Sequence, residues 1–398
     1  MEDTHESKKK SSPTIAIACG GSGGHLFPGV AIAEEFTDFG IQVELFITSK
    51  KVDEAGVSTL KDIRIHKLPG KPFSLKNLPG FLYSLLASYL ESCRQIERSR
   101  PSAMIATGSF ACLGPVLAAR RAGARIYLHE ANSIPGRAVR MLAANVDRIY
   151  SFFPGIDKKL REGSCLRLGM PVRRQFEPFD PVACRLQLGL RSDGPTLLVM
   201  GGSQGARPLN NFLFNHIREI ELAIPNLQII HITGPYDFEK SVALSRRDDV
   251  GLRIIPKPFL TEMEFAYGAA NVALCRSGAS TIAELAAMGV PSILVPYPHS
   301  ADGHQDLNAR LVSDSGAAVM CRQKELTPEN VLPVLKKLLF SVETRTEMKK
   351  SLKDWHFPDA ASSITEDIIN HLGLPGKRRT PVFTFEKHKF SESEDNEI

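Results

Sequence analysis

The feature that most limits what this chain can fold into is a coarse duplication. Residues 14–24, Thr-Ile-Ala-Ile-Ala-Cys-Gly-Gly-Ser-Gly-Gly, are echoed at 196–205 by Thr-Leu-Leu-Val-Met-Gly-Gly-Ser-Gln-Gly. Each is an apolar run of strand length that enters a glycine-rich turn, the start of a buried parallel strand feeding a helix. Two such starts in 398 residues, at ~150 residues per domain, predict two doubly wound domains.

Further apolar runs at 43–47, 104–106, 126–129, 227–232, 272–275 and 292–296 alternate with helical patterns. The alternation predicts an α/β chain: two Rossmann-like, doubly wound domains facing a cleft. In the first helix Pro28 suits the first turn. Ile32, Phe36 and Phe39 share one face there, Glu34, Glu35 and Asp38 look elsewhere, and Gly40 ends it. A Gly, Pro and Arg cluster at 166–181 marks the junction. The predicted organisation is a disordered segment at 1–12, a domain at 13–168, a linker at 169–181, a second domain at 182–357, a helix at 358–373 and a disordered tail at 374–398.

A hydrophobic fraction of 43% with 23% charged residues belongs to an ordinary globular protein. The net charge of +5 suits an anionic ligand or membrane surface but falls short of a nucleic-acid footprint, and no basic helix is interleaved with aromatics. Seven cysteines without a Cys-x-x-Cys pair read as reduced thiols of a cytosolic protein, not a disulfide or zinc framework. The apolar run after the lysines at 8–10 is too short for a signal peptide. The longest apolar stretch, 78–90, carries Pro-Gly and several hydroxyls and cannot span a bilayer.

Most unusual clusters fall just after a predicted strand, where open parallel sheets form their ligand crevice. The turns at 20–24 and 201–205 can bring backbone N–H groups to phosphate at a helix N-terminus, or can be structural turns; neither is a Walker sequence or a complete dinucleotide fingerprint. His25 closes the first turn, where an imidazole can take a proton from a hydroxyl nucleophile or can cap locally. His129 and Glu130 can line an acceptor side or pin the loop that follows. In Cys-Arg-Ser-Gly-Ala-Ser-Thr-Ile-Ala-Glu (275–284), small polar residues open a helix and Glu284 can accept the vicinal hydroxyls of a ribose, or simply complement the helix N-terminus. His299, Asp302 and His304 tempt a metal assignment, but hydrogen bonding to sugar hydroxyls is the preferred reading. There is no Asp-x-Asp motif, so no metal and no cofactor are expected, and pyrophosphate charge falls to backbone N–H groups and arginine.

Together, Gly-Gly-Ser-Gly-Gly-His-Leu-Phe-Pro (20–28), His-Glu-Ala-Asn (129–132), Gly-Gly-Ser-Gln-Gly-Ala (201–206) and the 275–284 motif resemble the MurG family, the N-acetylglucosaminyltransferases that form lipid II in peptidoglycan synthesis. Residues 14–370 follow the family's motif order. The resemblance implies the GT-B fold, an inverting, metal-independent transfer from UDP-N-acetylglucosamine, and the 4-hydroxyl of undecaprenyl-linked muramyl-pentapeptide as acceptor. It also implies a cytoplasmic protein, peripheral on the anionic inner face of the cell membrane, with an acceptor- and membrane-facing first domain and a UDP-sugar-binding second one.

By matched position, the resemblance implies His25 as general base and donor contacts from Ser22, Gly23, Gly24, Asn132, Arg173, Ser203, Gln204, Leu260, Arg276, Ala279, Ser280, Thr281, Glu284, His304 and Gln305. Gly108, Ser109 and Glu130 fall on the acceptor side. Met170 stands where the family commonly has Asn, Ala131 where it has Gln, and Gly-Ser-Phe-Ala-Cys-Leu (108–113) where it has Gly-Gly-Tyr-Val-Ser-Gly. Residues 71–90, with Lys71 and Lys76 beside apolar side chains, read either as a membrane-docking face or as a buried helix. The alternatives in function are another GT-B UDP-sugar enzyme, such as a lipid glycosyltransferase or a UDP-sugar 2-epimerase, and a non-catalytic nucleotide-sugar-binding partner protein.

Overall fold

Each apolar run read from the sequence is a strand in the computed structural model, which describes residues 13–58, 60, 63–70, 77–160, 165–202 and 204–375, with backbone alone at 51, 52 and 55. The segments 1–12 and 376–398, Lys71, Lys76 and Ser203 lie outside the described residues. The first sheet comprises β1 (Thr14–Ala18), β2 (Gln42–Thr48), β3 (Arg64–Leu68), β4 (Ala103–Ala106), β5 (Arg125–Glu130), β6 (Arg148–Ser151) and β7 (Cys165–Arg167), in the order β3-β2-β1-β4-β5-β6-β7. The second comprises β8 (Thr196–Met200), β9 (Gln228–Ile232), β10 (Arg253–Lys257), β11 (Val272–Cys275), β12 (Ser292–Leu294) and β13 (Val319–Met320), in the order β10-β9-β8-β11-β12-β13. All pairings are parallel.

Strand order reverses between β1 and β4 in one sheet and between β8 and β11 in the other. A crevice opens at the carboxyl ends of such a pair, because its two outgoing connections leave for opposite faces of the sheet. The turns after β1 and β4, and those after β8 and β11, therefore carry the site. The central strands are buried apart from Thr14 at the start of β1, as apolar runs covered on both faces require.

The first helix departs from the sequence reading. It spans Gly23–Asp38, so Pro28 sits inside it and not in its first turn. Proline has no N–H to bond the carbonyl four residues back. That carbonyl, on Gly24, instead accepts the Ser280 hydroxyl of the second domain at 3.4 Å. The apolar face is as expected, with Ile32 and Phe36 fully buried, but Glu35 is buried too and pairs with Arg174 at 2.7 Å.

The chain crosses between the sheets twice. Gly169 takes φ +91° against the Phe357 ring, so the outgoing and returning segments pack on each other. The last helix, Ala360–Leu372, returns to the first domain, where Ile364, Ile368 and Ile369 join the core of Ile15, Ile32 and Phe36. Burying each of these isoleucines contributes about 1.5–3 kcal/mol. Tyr150 donates to Asp367 at 2.7 Å, and Arg148 pairs with the same carboxylate.

Candidate active site

Two cavities open from the crevice. The larger, ≈ 940 Å³, lies between the domains; the smaller, ≈ 430 Å³, belongs mainly to the first domain. They share four lining residues, Ser22, His25, Asn132 and His304.

His25 is held by the end of β4. Its Nδ1 lies 2.7 Å from the Thr107 carbonyl oxygen, and the Thr107 hydroxyl donates to the His25 carbonyl at 2.6 Å. A carbonyl can only accept, so Nδ1 carries the hydrogen and Nε2 keeps the lone pair. Burial lowers the imidazole pKa, outweighing the Thr107 bond that raises it, so the ring is neutral at pH 7.

In the larger cavity, Glu284 stands in the helix Ala279–Met288, and the Tyr267 hydroxyl donates to its Oε2 at 2.8 Å. Burial pushes this carboxyl up to about 7, against the Tyr267 bond and Arg173, both of which favour the anion. The first turn of the same helix brings Gly278, Ala279, Ser280 and Thr281 to the cavity, with the positive end of its dipole. The turn after β8 adds Gly201, Gly202 and Gln204. There Gly205 takes φ +74°, and a Cβ on it would overlap the Thr233 carbonyl, so only glycine lets the turn pack so closely. Arg173 lies over the Phe27 ring at 4.3 Å and the Phe176 ring at 5.0 Å, and its buried Nε has no partner among the described residues. Leu260 and the half-exposed Phe259 form the apolar end.

The structure thus brings together His25, Ser22, Gly23, Gly24, Asn132, Arg173, Gln204, Leu260, Ala279, Ser280, Thr281, Glu284, His304 and Gln305 around the larger cavity. Gly108, Ser109 and Glu130 line the smaller one. Arg276 is the one described residue of the expected donor set that is absent from the lining. Its guanidinium donates to the carbonyls of Val295 and Pro296 at 3.0 and 3.1 Å and to Gln323 at 2.7 Å, so it anchors the loop after β12 and does not line the cavity. Glu130 takes the loop-pinning reading while lining the cavity. One oxygen accepts Asn132 N–H at 2.8 Å, the other accepts Gly136 N–H at 2.7 Å, and burial pushes its carboxyl up to about 7 against these donors.

The tempting metal trio is dispersed. Asp302 pairs with Arg137 and Arg140, His304 Nδ1 bonds the Ala301 carbonyl, and His299 packs on Tyr297. Among the described residues no group of three potential ligands forms.

Sequence reasoning missed Asn308, Tyr267 and Thr107. Buried Asn308 accepts the Ser133 N–H and hydroxyl at 3.0 and 2.7 Å and donates to Asn132 and Ser277, joining the two domains beneath the site. Its one signal is a polar residue a helical turn after His304. Tyr267 and Thr107 leave no such trace, since each acts on a residue remote in sequence.

Two parallel Rossmann-like sheets facing a shared cleft, each with a glycine turn at its switch point, make the GT-B fold. Residues 15–151 match the glycosyltransferase family 28 N-terminal domain, and 196–364 match the glycosyltransferase family 28 C-terminal domain. The UDP-N-acetylglucosamine–N-acetylmuramyl-(pentapeptide) pyrophosphoryl-undecaprenol N-acetylglucosamine transferase of Chlorobaculum parvum is 33% identical over 367 residues, 89% of this chain and 98% of that protein. The transferase of the same description from Syntrophus aciditrophicus is 36% identical over 367 residues, 90% and 99% of the two chains. The crystal structure of Acinetobacter baumannii MurG superposes with a TM-score of 0.68 at 26% identity, covering 90% of this chain and 99% of that one. The chain belongs to the MurG family of N-acetylglucosamine transferases.

Proposed function

We propose that this protein transfers N-acetylglucosamine from UDP to the 4-hydroxyl of lipid-linked N-acetylmuramyl-pentapeptide, converting lipid I to lipid II with inversion at the anomeric carbon. The observation that carries this reading is His25 at the junction of the two cavities. A neutral imidazole with Nε2 unprotonated can take the hydroxyl proton as the oxygen attacks the anomeric carbon. The bond from that carbon to the β-phosphate oxygen breaks, and the electron pair leaves with UDP.

The larger cavity suits the donor. Glu284, oriented by Tyr267, can accept the ribose hydroxyls; Leu260 and Phe259 offer the uracil an apolar wall; His304 and Gln305 stand where the sugar would project. Charge on the leaving diphosphate can be met by the turn after β8, the N-terminus of Ala279–Met288 and Arg173. The smaller cavity suits the acceptor sugar, with Gly108, Ser109, Glu130 and Lys50 in its walls.

The helix Leu78–Ser99 supports a membrane-peripheral acceptor site. Phe81, Ser84 and Ser88 turn inward to the smaller cavity, while Leu82, Leu86 and Leu90 are 50–56% exposed in an i, i+4, i+8 stripe with the exposed Tyr83 beside it. No helix among the described residues is long and apolar enough to cross a membrane. Docking of this face on the inner leaflet would bring a lipid-borne acceptor to the cavity mouth.

The test is transfer of radiolabelled N-acetylglucosamine from UDP to a lipid I analogue, with donor alone as the second arm. Label in the lipid product supports the reading. Release of UDP from donor alone would replace it with the epimerase alternative, and donor binding with neither transfer nor UDP release with the non-catalytic one.

A further inference from the structure

The two glycine turns are not electrostatically equivalent. Beneath the first lies Asp53, fully buried in the short helix Lys51–Val57. Its Oδ2 accepts the Gly21 N–H at 2.7 Å and also the Thr48 hydroxyl, whereas no donor among the described residues reaches its buried Oδ1. Lys50 Nζ donates to the Gly21 carbonyl at 2.8 Å, so both polar groups of that residue are tied to the segment after β2. The fit is close: with Gly20 at φ +113°, a Cβ there would lie 2.7 Å from Asp53 Oδ2.

A buried carboxylate bonded to one N–H and one hydroxyl is costly, and an apolar side chain would fill the same space with less penalty. Its position suggests what it supplies. An anion already occupies the inner side of the turn, and the Gly21 N–H that could have cradled a ligand phosphate points to it. What the turn then delivers is the step 22–25, in which the His25 N–H bonds the Ser22 carbonyl at 3.0 Å and the imidazole reaches Thr107.

We infer that Asp53 is a positioning residue for the transfer: as an internal anion it fixes Gly21 and so the turn that holds His25 between the two cavities. The inference rests on the proposed role of His25 as base. Besides the Thr107 carbonyl, the groups that bear on the imidazole are Asp53, which favours its cation, and His304, which opposes it; nearby His129 is itself lowered, chiefly by burial and also by His25, and Glu130 and Lys50 line the same cavity.

The experiment compares wild type, Asp53→Ala and Asp53→Asn as full chains. Rates are expressed per donor-binding site, alongside UDP-N-acetylglucosamine affinity, Tm and the pH profile of kcat. Asp53→Ala should lower kcat roughly 10- to 100-fold, the usual consequence of a misplaced reacting group, while donor Kd stays within about twofold. Asp53→Asn keeps an oxygen for the Gly21 N–H, so it should retain more activity, with the acid limb of kcat moved to lower pH because the carboxylate's field is gone. A merely structural residue would lower Tm and the number of binding sites but leave kcat per site and its pH profile in place. That pattern overturns the inference. If Asp53→Ala does not fold, the pH profile of Asp53→Asn decides alone. Wild type that binds donor but transfers nothing sinks the functional reading itself, a result distinct from either.

Discussion

Donor binding should depend on pH through Glu284. With its carboxyl pushed up to about 7, roughly a tenth of the unliganded protein carries the anion at pH 6 and roughly nine-tenths at pH 8. Ribose hydroxyls donate to the anion, so the apparent Kd should improve about tenfold, or about 1.4 kcal/mol, between those two values and flatten above them. The ligand must be UDP-N-acetylglucosamine, because its diphosphate is esterified at both ends and does not titrate in this window, unlike the terminal phosphate of UDP. Calorimetry at half-unit steps from pH 6 to 8.5 gives the curve. Glu284→Gln should bind more weakly at pH 8 and lose the slope. Tyr267→Phe removes a bond that favours the anion, so its curve should shift to higher pH, weakening binding at pH 7 and recovering towards pH 8.5. A wild-type Kd that is flat from pH 6 to 8, or a Glu284→Gln variant with the wild-type slope, would refute the assignment of Glu284 to the ribose.

Replacing His25 by Ala should lower turnover by roughly 10²–10⁴-fold at saturating donor and leave donor affinity nearly unchanged; near wild-type turnover would pass the base role to another group. Changing Leu82 and Leu86 together to Ser should reduce flotation with anionic vesicles about tenfold or more, since two half-exposed leucines are lost from the face. Phe81 is unsuited to that test, because it is buried and packs edge-on against Phe110 at 5.6 Å. Transfer should persist in EDTA; complete loss, restored by magnesium or manganese, would contradict the account in which N–H groups and Arg173 meet the leaving-group charge.

The sheets were legible where their strands are covered on both faces. The eight apolar runs read from the sequence are the central strands and their neighbours, and burial demanded an apolar run in each. The strands left unread lie at or next to sheet edges: β3 (Arg-Ile-His-Lys-Leu), β6, β7, β10 with Pro256, and the two-residue β13. An edge strand keeps one side for solvent or loop, so charge and proline are tolerated and the apolar signal fades. The first helix was misjudged at its start for a related reason. A proline reads locally as an N-terminus. Here the carbonyl it leaves free accepts a bond from Ser280, 256 residues away, which no local rule can anticipate.

The site divides in the same way. Glycine turns and strand ends announced His25, Glu284 and the small residues beside them, Arg173 and Leu260 came only through the family resemblance, and the groups that orient the site came from elsewhere in the chain: Tyr267 for Glu284, Thr107 for His25, Asn308 for Asn132. Arg276 shows the converse, a motif residue whose guanidinium serves the loop after β12. The two turns share the string Gly-Gly-Ser, and read alone they promise the same phosphate-binding chemistry. Their difference is supplied by what lies behind them. The second is backed by the neutral Thr233–Gly234 backbone, with open space in front of Gly202, so its N–H groups can face an anionic ligand. The first is backed by the Asp53 carboxylate, which takes up the Gly21 N–H from within. One duplicated element thus suits two steps: the turn without a built-in anion suits the leaving diphosphate, and the turn that carries one suits the base that removes a proton.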